Sequence, residues 1–152
     1  MLPSLLIVVP RGLIMSIRFN RQLGRYDCGV SVASMLLGVS YQKTRALWRA
    51  FCSDPRCPGH RGIHLDEMEE FLLTHGGPWE QWKSENFQEA PLLVDWEPVS
   101  SLNAIMTWQG QGYQSHWVAY CRGIVYDPHH DGPRLPEDCL RAPHQVIAGV
   151  SL

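Results

Sequence analysis

Apolar positions recur at helical spacing in three stretches of the first half of the chain, and short alternating runs replace them after Pro91. Within residues 29–37, Val30, Ala33, Leu36 and Leu37 share one face, and Gly38 supplies a stop signal. Residues 43–51 place Leu47, Trp48 and Phe51 inward as a second short helix. Residues 65–74 form a third, with Leu65, Met68, Phe71 and Leu72 on one face and Asp66, Glu67, Glu69 and Glu70 on the solvated one. His75-Gly76-Gly77 ends it, and a loop rich in Pro, Gly and Cys separates the second and third helices. Strands are expected at 92–94, 105–108, 116–121, 124–127 and 145–150. Helices first and strands afterwards predict an α+β fold, not the alternation of a parallel α/β sheet.

The apolar run from Leu5 to Val9, bracketed by Pro3 and Pro10, reads as a leading strand or an extension ahead of a start at Met15. Residues 16–152 then form a single domain. A secretory signal wants positive charge before the run and a small-residue cleavage site after it, and neither pattern is there.

Composition narrows the classes without naming a chemistry. The 152 residues are 45% hydrophobic and 18% charged, ordinary globular usage. Thirteen Lys and Arg against fifteen Asp and Glu give a net charge of -2, with the basic residues scattered, so nucleic acid is not an expected partner. No apolar run approaches the ~20 residues of a membrane span. The chain is expected in the cytoplasm, or exported as an effector without a recognisable signal, and its sequence does not encode an oligomeric state. Five cysteines leave at least one thiol unpaired within the chain.

Cys28 stands where the first helical pattern begins, after Asp27, a natural helix cap. A thiol there meets unpaired N–H groups and the positive end of the helix dipole, the setting of a nucleophilic cysteine. The plain alternative is a small buried hydrophobe. Late in the chain, Arg122-Gly123 can turn between two strands. If Cys121 pairs with Ile124, Val118 lies opposite Asp127, and His116 sits diagonally from Asp127 on the same face, within ~7–8 Å at the backbone. An imidazole held by a carboxylate is the oriented base that a thiol nucleophile requires. Each of the two residues also has a plainer reading, a strand-end histidine and a turn-forming aspartate before Pro128.

Gln22, then Asp27-Cys28-Gly29 opening a helix, then His116-Trp117-Val118 and Tyr126-Asp127-Pro128, together resemble the papain-like cysteine peptidases. The closest likeness is to the bacteriocin-processing peptidase domains and their stand-alone relatives, over roughly residues 17–128. The resemblance implies a papain-like fold, with an N-terminal helical half packed on a C-terminal antiparallel sheet. It also implies a Cys28 nucleophile, a His116 base, an Asp127 that orients it and a Gln22 side-chain donor to the oxyanion. The expected activity is hydrolysis of a peptide, isopeptide or glutamine amide bond in a protein or peptide substrate, without a cofactor. Protein deamidases and deubiquitinase-like isopeptidases use the same groups. A non-catalytic binding module on the same fold is the rival class.

Trp79, Trp82 and Trp108 are candidates for the substrate-binding wall, with core packing as the alternative for each, while Trp117 is expected to pack inward. Cys52, Cys57, His60 and His64 offer four metal ligands within thirteen residues, at a spacing that matches no common zinc finger. A zinc knuckle, a Cys52–Cys57 disulfide and an ordinary loop compete there, and the ordinary loop is expected. Cys121 and Cys139 read as structural, and His129, His130 and Asp131 as an exposed polar rim.

Overall fold

The structure is a computed structural model that describes residues 5–8, 14–76, 79–82, 93–95, 102–108, 116–139 and 142–149. It opens with an antiparallel pair, β1 (Leu5–Val8) and β2 (Ile14–Ile17). Three helices follow: α1 (Cys28–Leu37), α2 (Tyr41–Phe51) and α3 (Leu65–Gly76). The remaining strands are β3 (Trp79–Trp82), β4 (Leu102–Trp108), β5 (His116–Cys121), β6 (Ile124–Tyr126) and β7 (Ala142–Gly149). They form one antiparallel sheet in the order β3-β7-β4-β5-β6, so the fold is α+β as expected.

Burial on every side defines α1. Val30, Val32, Ala33, Met35 and Leu36 are all buried, and so are Ser31 and Ser34. A helix enclosed all round is central, and α1 lies against β5, α2 and α3. It ends as the sequence predicts: Gly38 takes the left-handed conformation at φ 68°, which costs a residue without a Cβ nothing. Ser40 caps α2 by accepting from the Lys43 N–H at 3.2 Å, so the helix begins two residues earlier than its apolar pattern suggests. Trp48 stacks on Phe71 with ring centroids 3.9 Å apart, and Phe51 meets both rings edge-on, which joins α2 to α3.

The two faces of the sheet bury different clusters. Trp117, Ala119 and Cys121 of β5, with Ala104, Met106, Tyr126 and Ile147, join the helices in the larger core. Val118, Tyr120, Ile105, Val125 and Val146 pack with Leu93 and Cys139 in a second, smaller one. Leu93–Asp95 is a single 3-10 turn, not the strand expected there, and its apolar residue covers the sheet without pairing to it. Strands β2 and β3 were not anticipated, and β4 and β7 are longer than their patterns suggest. Among the described residues, no helix is long and apolar enough to cross a membrane.

Candidate active site

Cys28 is the first residue of α1, buried at 8% exposure and opening on a cleft. Asp27 occupies the cap position, yet its side chain makes no capping hydrogen bond, which corrects the expectation of a capped helix. Its carboxylate turns away, accepting a very short hydrogen bond from the Tyr41 hydroxyl and standing 3.9 Å from Arg45 Nε. Burial and that bond hold the Tyr41 phenol well above its usual range. The N–H groups in the first turn of α1 therefore lack both an intrahelical acceptor and a side-chain cap, beside the Cys28 sulfur.

The β5–β6 hairpin delivers the second half of the site in the expected register. Cys121 pairs with Ile124 across Arg122-Gly123, whose φ values of 49° and 81° are those of a type I′ turn. His116 Nε2 lies 2.5 Å from Asp127 Oδ1. Asp127 is fully buried, and its Oδ1 also accepts from the His129 backbone N–H at 3.0 Å. His130 Nε2 lies 3.5 Å from Oδ2, so His130 belongs to the carboxylate's surroundings as well as to the rim. The Trp117 N–H points at Cys28 Sγ at 3.5 Å, which seats β5 directly on the head of α1.

Two opposed effects set the His116 pKa. Burial disfavours its charged form, but hydrogen bonds to Asp127 and to Cys28 favour it more, and the value rises from 6.5 to about 9. The imidazole thus holds its proton at neutral pH, between a carboxylate on one side and the sulfur on the other.

Gln22 makes its contacts within its own loop. Its Nε2 donates to the carbonyls of Gly24 at 2.9 Å and Arg25 at 3.4 Å, so both amide protons are spent within the loop. The opposite amide orientation would set two carbonyls against Oε1, which fixes the assignment. Oε1 is buried with no hydrogen-bond partner among the described residues. The Gln22 backbone N–H bonds Pro128 O at 3.0 Å, tying the segment before the cysteine to the one after Asp127. Arg21 and Asp131 repeat that tie at the surface with a 2.7 Å ion pair.

The cleft beside Cys28 measures about 300 Å³ and is lined by Arg61, Gly62, Ile63, His64, Leu65, Met106 and Trp117. Trp117 is buried as expected, and its indole N–H fixes the wall by donating to Ile63 O at 2.8 Å. A Cβ on Gly29 would stand 2.8 Å from Ile63 Cδ1, so the glycine after the cysteine is what lets α1 approach this wall. Trp79 is buried in the helix-side core and does not line the cleft, which removes it from the substrate-binding candidates. The side chains of Trp82 and Trp108 lie outside the described residues. Sequence reasoning missed Ile63 and Met106, because an apolar residue in a loop or strand carries no mark distinguishing a cleft wall from a core.

The proposed set Cys52, Cys57, His60 and His64 does not assemble. Among the described residues, the ligand atoms brought together are those of Cys52, Cys57 and Glu67, while His60 and His64 are exposed. Both thiols are free, which sets aside the disulfide. Arg61 organises the loop, donating to Glu67 at 2.7 and 2.8 Å and to Asp54 at 3.0 Å.

Comparison of the chain with protein-family models gives no match, and neither does comparison with curated proteins. The functional reading therefore rests on the site itself.

Proposed function

We propose that the chain is a papain-like thiol hydrolase acting on a peptide, isopeptide or glutamine amide bond of a protein or peptide. One observation carries the reading: the His116 imidazole is held 2.5 Å from a buried carboxylate, on the strand whose next backbone N–H reaches the Cys28 sulfur at a helix head. In the reaction, His116 already holds the proton given up by Cys28, and the Cys28 sulfur attacks the carbonyl carbon of the substrate. The developing oxyanion is met by the uncapped N–H groups in the first turn of α1. His116 returns the proton to the departing nitrogen as the C–N bond breaks and a thioester remains. Water, giving a proton to His116, then releases the acid and leaves the sulfur beside a protonated His116, as at the start. Gln22 serves this scheme as a brace for the Cys28 loop, through the Gly24 and Arg25 carbonyls.

A mixture of peptides incubated with the protein and followed by mass spectrometry tests the reading. New termini indicate cleavage, and a gain of about one dalton at glutamine indicates deamidation. Either product should vanish with Cys28→Ala. Equal product formation by Cys28→Ala would remove the mechanism.

A further inference from the structure

The loop between α2 and α3 carries a cluster that the hydrolase chemistry leaves unused. Cys52 is the C-cap of α2, its backbone N–H held by Trp48 O at 2.9 Å. Cys57 is buried within the loop, and Glu67 lies in the first turn of α3. The two sulfurs and a Glu67 carboxylate oxygen all lie within 4.8 Å of one another. Cys52 Sγ stands 3.5 Å from Glu67 Oε2. Two soft sulfur donors and one oxygen, supplied by three successive segments, suit a thiophilic divalent ion and not magnesium or calcium.

We propose that Cys52, Cys57 and Glu67 hold one divalent cation of the zinc class, which clips the end of α2 to the start of α3. The ion replaces the Cys52 and Cys57 thiol protons, which leave to solvent, and forms two metal–sulfur bonds and one metal–oxygen bond. Glu67 can serve although Arg61 grips it. Oε1 accepts from Arg61 and from the His64 backbone N–H, whereas Oε2 faces Arg61 on one side and Cys52 on the other. The ion takes the side now given to the Cys52 proton.

Charge is consistent with this exchange. Asp54 and Glu67 are balanced by Arg56 and Arg61 in direct ion pairs, so a divalent ion traded for two protons leaves the loop neutral. The outer end of this loop, Arg61 to Leu65, is the wall of the Cys28 cleft, so an ion here stiffens that wall from behind. The proposal stands apart from the hydrolase reading.

Cobalt titration of the freshly reduced full chain tests it, through the thiolate-to-cobalt charge-transfer band and the protons released into weak buffer. One ion per chain, two protons per ion and a raised Tm with zinc are expected. The band should be lost in Cys52→Ser and Cys57→Ser and retained in Cys28→Ser. On the wild-type chain, zinc should slow alkylation of Cys52 and Cys57 at least about tenfold, a readout independent of how the variants fold. Absence of the band, a band that disappears with Cys28→Ser, or unprotected Cys52 and Cys57 in excess zinc would each overturn the proposal.

Discussion

The raised pKa of His116 gives the site its sharpest residue-scale consequences. In the folded chain the group titrates near 9 against 6.5 when unperturbed, so folding favours its protonated form. The stability this contributes is complete below about 6.5 and is lost as pH rises through about 9. Asp127→Asn removes one of the two groups that hold the imidazolium, and the titration should fall from about 9, since burial is then opposed by Cys28 alone. Imidazole resonances followed by NMR across pH read this directly. A wild-type His116 that titrates at or below 6.5 would contradict the assignment. The alkaline limb of any activity profile should move down with the same substitution.

Gln22 separates two residue-scale roles. An oxyanion donor lost to alanine costs roughly 10²–10³ in kcat with the fold intact. A brace whose two amide protons hold the Gly24 and Arg25 carbonyls should instead bring a lower Tm together with the loss of activity. Thermal unfolding of Gln22→Ala distinguishes them: an unchanged Tm favours the donor role, and a lowered one the brace.

At the scale of elements, the β5–β6 hairpin was legible because short strands with a two-residue turn leave little freedom of register. Arg122-Gly123 fixed which residues face each other, and alternation put His116 and Asp127 on one face. Gly123→Ala should cost about 1 kcal/mol in denaturant unfolding, because its φ of 81° disfavours a Cβ. The three helices were legible from their apolar faces, although Ser40 started α2 earlier than its hydrophobic spacing indicated. The 3-10 turn at Leu93 was not, since a lone buried apolar residue fits a strand or a turn equally well. Nor was the turning away of the Asp27 carboxylate. It depends on Tyr41 and Arg45, more than a dozen residues ahead, and local cap rules say nothing about such partners. Trp48 binds α2 to α3 through its stack on Phe71, so Trp48→Ala should lose about 3–5 kcal/mol, measured as a shift in denaturant midpoint.

At the scale of the whole molecule, the sheet carries two cores and the site forms where its helix-side face meets the head of α1. Trp117 joins the parts: its backbone N–H reaches the Cys28 sulfur, and its indole holds the Ile63 carbonyl of the cleft wall. The Gln22–Pro128 bond and the Arg21–Asp131 pair close the opposite side. The geometry of the candidate site is therefore a property of the assembled fold, drawn from segments some ninety residues apart. The order of the site residues was legible in the sequence, while the cleft beside Cys28 came only from packing.

The central claim is that Cys28 is an activated nucleophile served by His116. Timed alkylation by iodoacetamide at about pH 6, with each thiol read by peptide mass spectrometry, tests it most directly. Burial pushes the Cys57 thiol up to about 12 and the Cys121 thiol up to about 11, so neither should compete. The account predicts that Cys28 reacts first and reaches one adduct per chain before any other cysteine is modified, and that His116→Ala abolishes this lead. A Cys28 no faster than the other cysteines, or equally fast without His116, would contradict it.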